Sequence, residues 1–121
     1  MRIKLERHTM QIIKRNGSRV DYEPDKIYQA ILKAANSVFI LTDELRAHLA
    51  EVTRKVTIDL EELGLDVVTI SMVQSQVEQR LLSAGYTQIA EHYIEYRLQR
   101  DIERYGYADH IAVHLRFEHL R

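Results

Sequence analysis

Apolar and polar positions follow one rhythm near the start of the chain and another through most of its length. Between Met10 and Glu23 the sequence MQIIKRNGSRVDYE places two short β-favouring runs on either side of Asn16-Gly17. That dipeptide readily adopts the positive φ angles of a tight type I′ turn, so a β-hairpin is predicted. Behind it, Ile27, Ala30, Ile31, Ala34 and Ala35 fall at helical spacing. Pro24 suits the first turn of that helix, where its missing N–H has no intrahelical partner, and the helix is expected from about Pro24 to Asn36. Thr42 can cap a second helix, in which Leu45, Leu49, Val52, Val56, Leu60 and Leu63 recur every three or four positions until Gly64. After a loop at Leu65 to Val68, Thr69 caps a third helix carrying Val73, Val77 and Leu81, closed by Gly85. A fourth runs from about Thr87 to Tyr105, with Ile89, Ala90, Tyr93, Ile94 and Leu98 on its buried side, and Gly106 stops it.

Both ends of the chain change to a two-residue period. Ile3 and Leu5 alternate with charged residues, as do Ile111, Val113, Leu115 and Phe117 with mostly polar ones, the pattern of half-buried strands. A strand-like arm over residues 107–121 has an edge to hide, against the N-terminal strand or against another copy, so a homo-oligomer is expected. No internal repeat, low-complexity run or linker interrupts the chain, which implies one domain over residues 1–121. The fold class expected is α+β, an N-terminal β-hairpin lid on a four-helix cluster with extra terminal strands.

Composition narrows the chemistry. Among 121 residues there is no Cys, which removes disulfides, Cys-ligated zinc or iron–sulfur sites and a thiol nucleophile. No apolar run is long enough to span a bilayer and no export leader is visible, so a cytoplasmic location and no membrane partner are expected. The net charge of −1 conceals an asymmetry. Residues 1–35 carry eight basic and four acidic groups, while the rest of the chain carries nine basic and fourteen acidic ones. Positive charge confined to a short stretch favours a compact anionic ligand and speaks against duplex DNA as a partner.

The hairpin residues Lys14 and Arg15 are the first candidates for such a ligand. Consecutive strand residues point to opposite faces unless the turn twists the strand end and lets both reach one anion. A Lys point charge beside an Arg fork suits a polyphosphate better than a single carboxylate, although basic hairpin tips are also common solvated features. His110 and His114 share one face in helix or strand, yet no third metal ligand accompanies them. Asp101 with Glu103, and Glu61 with Glu62, read as charge runs on solvated faces. With no nucleophile and no Walker-type glycine loop beside them, a catalytic role is not expected.

The series Ile12, Lys14-Arg15-Asn16-Gly17, Tyr22, Lys26-Ile27 and Ala30-Ile31-x-Lys33-Ala34 resembles the opening of the ATP-cone, the nucleotide-binding module at the start of many ribonucleotide reductases and inside their transcriptional repressor. The far end agrees independently: Val73-Gln74-x-x-Val77-Glu78, Ala84-Gly85-Tyr86, Ile89-Ala90, Tyr93-Ile94 and Tyr96-Arg97 are similar to the family's closing helix pair. The resemblance covers about residues 10–101. It implies Lys14 and Arg15 on the ligand phosphates, Ile12 packing near the base, and Lys26 beside the same phosphates. It further implies Arg100 as the basic residue near the end of the fourth helix, Glu23 as a group for a ribose hydroxyl or base, and Gln74 as a polar side chain approaching the ligand. Other roles compete: a helix-surface charge for Lys26, a helix-dipole acid for Glu23, an i,i+4 partner of Tyr96 for Arg100, and core or interface for Tyr86, Tyr93 and Tyr96. Asn16 replaces the family's common Asp, while Val20 and Asp21 depart from a polar pattern that bears on base specificity.

What the resemblance implies is a regulatory, non-enzymatic domain binding a purine nucleotide triphosphate, ATP or dATP, with Mg2+ carried through the phosphates. Its implied partner is a ribonucleotide reductase subunit, or the rest of a reductase of which it is the N-terminal segment. An intact repressor of the family needs four Cys and is excluded. Two readings remain beside it: a nucleic-acid-binding or transcription-associated adaptor, and an oligomerisation module whose nucleotide site has decayed. Replacing Lys14 or Arg15 is expected to weaken binding at little cost in stability.

Overall fold

A computed structural model describes residues 10–105, with side chains described for residues 10–103. The terminal strands, the arm at 107–121 and the His110/His114 pair lie outside the described residues.

The hairpin consists of β1 (Gln11–Ile13) and β2 (Arg19–Asp21), antiparallel with Ile12 opposite Val20. Its turn differs from the expected type I′ form. The Gly17 amide donates to the Lys14 carbonyl and the Lys14 amide to the Ser18 carbonyl, both at 2.9 Å. Among the described residues only glycines have positive φ, Gly17 at 89°, so Asn16 does not enter the left-handed region. The physical reason is local. The Asn16 side-chain oxygen accepts from the Ser18 amide at 3.0 Å and from its hydroxyl at 2.7 Å, which holds the turn with a single left-handed residue, as in a type I turn followed by a glycine bulge.

Four helices follow: α1 (Pro24–Asn36), α2 (Asp43–Glu61), α3 (Ile70–Ser83) and α4 (Thr87–Tyr105). The Thr42 and Thr69 hydroxyls accept from the Leu45 and Met72 amides, capping α2 and α3 as their sequences imply. Each helix packs on two others, α1 on α2 and α4, and α3 on α2 and α4, around a core of Ile31, Leu49, Val56, Val77, Leu81 and Ile89, none of them accessible to solvent. Leu63 drops out of the expected stripe. Helix α2 ends at Glu61 and leaves Leu63 about half exposed.

The stretch predicted as loop holds a further strand, β3 (Val67–Thr69), which pairs in parallel with β1 so that the sheet order is β2-β1-β3. Strand β1 is therefore central, and its Ile12 pairs across the parallel ladder with Val68, both side chains lying in the hydrophobic core. The hairpin's far end is anchored as well: the buried Tyr22 hydroxyl meets the Thr57 hydroxyl of α2 at 2.9 Å.

Between α2 and α3, Asp59 accepts from Arg80 Nε at 2.5 Å and NH2 at 2.7 Å, and from Gln76 Nε2 at 2.6 Å. The Arg80 hydrogen bonds, against the opposing effect of desolvation, hold the Asp59 carboxyl below the ordinary carboxylate value. A depressed folded pKa contributes stability that is complete above the unfolded value of about 3.9 and is lost as pH falls through the folded one. Both side chains are partly solvated, so Asp59→Asn is expected to cost only about 1 kcal/mol near neutrality. Thermal melts across the acid range check this, because the gap between variant and wild type closes as pH falls through the lowered folded value.

Candidate functional site

One cavity of about 190 Å³ opens where the hairpin turn, α1, α3 and α4 meet. The turn contributes Lys14 and Arg15, and α1 contributes Ile27 and Ala30. From α3 come Ile70, Val73 and Gln74, and from α4 come Tyr93, Tyr96, Arg97, Arg100 and Asp101. The α1 and α3 positions are helical neighbours of the core residues, so they extend the apolar interior up to the cavity wall. The α4 positions recur every three or four residues, which puts them on one face.

Each arginine of the wall has a polar or charged partner. Arg97 Nε donates to Glu78 at 2.6 Å, fixing α4 to α3. Arg100 NH1 donates to the Tyr96 hydroxyl at 2.8 Å, to which Lys33 Nζ of α1 also donates at 3.5 Å. Burial raises the Tyr96 phenol, but these two hydrogen bonds and the positive charges of Arg100 and Lys33 together hold the group below the usual tyrosine value. Its neighbour Tyr93 is buried, and burial pushes that phenol well above the usual value. Arg15 NH2 lies 3.0 Å from Asp101 Oδ2, spanning the cavity from hairpin turn to α4.

Of the seven residues singled out in the sequence, the structure brings Lys14, Arg15, Gln74 and Arg100 into this one wall. Ile12 is buried in β1 behind it, outside the lining. Glu23 and Lys26 are exposed at the start of α1, 3.9 Å apart, and do not line it either. Arg100 also makes the i,i+4 contact with Tyr96 that the sequence left open, while Tyr93 lies in the core, as read there, and lines the cavity together with Tyr96. Asp101 corrects an expectation. It is not on a solvated face but 6% exposed, because the α4 face that carries Tyr93 and Arg97 carries position 101 as well. That eight-residue and four-residue spacing was the signal available for it, and for Arg97.

Two grooves of about 420 and 510 Å³ lie elsewhere, one by His48 and Tyr86, the other between α1 and α2. Neither gathers as many cations as the smaller cavity, so chemistry rather than volume selects the site. Among the described residues no group of three or more His, Asp or Glu could hold a metal ion, and no helix is long and apolar enough to cross a membrane.

Cations on a turn and a helix, set over apolar side chains, define a small module built for a ligand with an anionic end and a less polar body. Comparison with known proteins gives the family: residues 10–102 match the ATP cone domain, and the chain belongs to that family of nucleotide-binding regulatory domains. It is 36% identical over 96 residues to the anaerobic ribonucleoside-triphosphate reductase of Escherichia coli (strain K12), covering 79% of this chain and 13% of that protein. The enzyme of the same description from Haemophilus influenzae is 37% identical over 93 residues, 77% of this chain and 13% of that protein. The ribonucleoside-diphosphate reductase subunit alpha of Chlamydia pneumoniae is 31% identical over 119 residues, 92% of this chain and 11% of the subunit. The chain thus spans only a small fraction of these relatives.

Proposed function

We propose that the chain senses a purine nucleoside triphosphate, ATP or dATP, in the cavity between the hairpin turn and α4, and so controls ribonucleotide reduction. The observation that carries this reading is the convergence of Lys14, Arg15, Arg97 and Arg100 on one apolar-backed cavity inside the family-matched segment. With Lys33 these cations face Glu78 and Asp101, an excess of three positive charges for a triphosphate, whose remaining charge Mg2+ neutralises. Ile27, Ala30 and Val73 offer the apolar surface for the base, and Gln74 a polar group beside it. Ile12 supports the hairpin from behind. Glu23 and Lys26 are assigned to the part of the ligand that extends beyond the cavity.

The partner is a ribonucleotide reductase subunit, or the remainder of a reductase that carries this domain, and the domain itself assembles as a homo-oligomer. Control requires that nucleotide bind two arrangements of the domain or its assembly with different affinity. Calorimetric titration with ATP, dATP and ADP tests the reading. Saturation to a hundredfold over the dissociation constant is expected to raise folding stability by about 2.7 kcal/mol, visible as a higher unfolding midpoint. Absence of both heat and thermal shift with every adenine nucleotide sinks it in favour of a decayed site.

A further inference from the structure

The cavity is small for its proposed ligand. Small-molecule sites commonly enclose roughly 300–1,000 Å³, against about 190 Å³ here. What spans it is the contact between Arg15 and Asp101. The Asp101 side chain is only 9% exposed, yet its Oδ2 accepts no hydrogen bond, the Arg15 NH2 group 3.0 Å away being out of alignment. An enclosed carboxylate oxygen in charge contact but without an aligned donor is poorly satisfied, and it sits in a wall otherwise rich in cations.

We propose that Asp101 is the internal competitor for the ligand's phosphates: it holds Arg15 across the cavity in the free domain, and a polyphosphate binds by taking Arg15 from it. This rests on the nucleotide reading above and goes further, assigning to an acidic residue the setting of affinity in an anion site. A phosphate chain offers Arg15 several oxygens and more charge than one carboxylate, so the exchange favours polyphosphates over singly charged anions. Moving the guanidinium also opens the space that the contact now spans. The same carboxylate repels any anion that does not engage Arg15, which rejects weaker ligands.

The test uses the full chain, inorganic triphosphate and ATP. Asp101→Asn keeps an acceptor for Arg15 and removes the charge, and it is expected to bind both probes about tenfold tighter, a change of about 1.4 kcal/mol. Glu103→Gln, an equal charge change on the exposed side of α4, is expected to leave both affinities as they are. Equal or weaker binding by Asp101→Asn overturns the proposal, since the carboxylate then positions Arg15 for the ligand. Equal tightening by Glu103→Gln also overturns it, as a mere effect of net charge. Binding of neither probe by wild type and variant alike removes the nucleotide reading and this inference together. An independent readout needs no variant. The Asp101 carboxyl carbon resonance of the wild-type chain is expected to shift on saturation with inorganic triphosphate, and an unmoved resonance overturns the exchange.

Discussion

Replacing Arg15 by alanine is expected to weaken ATP binding by about ten- to a hundredfold, the loss of one charged phosphate contact of roughly 1.5 to 3 kcal/mol. Lys14→Ala is expected to weaken binding similarly. The two changes part company in the free domain. The sequence alone suggests that either is nearly neutral for stability, because hairpin tips are solvated. Arg15 is not: its side chain is 23% exposed and faces a carboxylate that is more deeply enclosed. Truncating it leaves Asp101 buried without its counter-charge, at a cost of about 1 to 3 kcal/mol, and adding Asp101→Asn recovers most of that loss. Titration calorimetry reads the affinities and thermal melts of the single and double variants read the stabilities. Wild-type affinity in both Lys14→Ala and Arg15→Ala returns the turn to the status of a solvated tip, and equal melting of the two free variants removes the role given to the ion pair.

A larger effect on folding is expected at Leu81. Its side chain is wholly inaccessible on α3, within the interior to which all four helices contribute. Leu81→Ala removes buried methyl groups and leaves a void, which costs about 2 to 5 kcal/mol. For a domain of this size that is a fall in melting temperature of at least about 8 °C. The adjacent Leu82 is half exposed, and Leu82→Ala is expected to stay within about 0.5 kcal/mol. Chemical denaturation of both variants checks the contrast. Neither residue lines the cavity, so ligand affinity of the folded fraction is expected to be unchanged in both.

The helices were legible because their signals are local. Pro24 and Thr42 mark starts that the structure reproduces, and the apolar spacing of Val73, Val77 and Leu81 translates directly into complete burial. Strand β3 was not, for the opposite reason. Three residues carry no period of their own, and Val67 to Thr69 become a strand only because β1, distant in sequence, lies alongside. The turn was misjudged by one residue's φ, since a side-chain oxygen reaching two positions ahead competes with the backbone preference of an Asn-Gly pair. The candidate site divides along the same line. Lys14, Arg15, Gln74 and Arg100 were recognisable from a family pattern and the spacing along α4 points to Arg97 and Asp101, whereas the contact of Asp101 with Arg15 depends on α4 meeting the hairpin turn, a relation that no local stretch encodes.

Strand β3 ends at Thr69 and α3 begins at Ile70, with no residue between them. Since β3 is also hydrogen-bonded to β1, there is no slack between the strand that leads into the turn with Lys14 and Arg15 and the helix that carries Gln74. A pull on the turn strong enough to displace β1 is relayed through the parallel ladder to the first turn of α3. The hairpin is thus geared to the helix rather than hung on a hinge, and two of the elements that wall the cavity travel together.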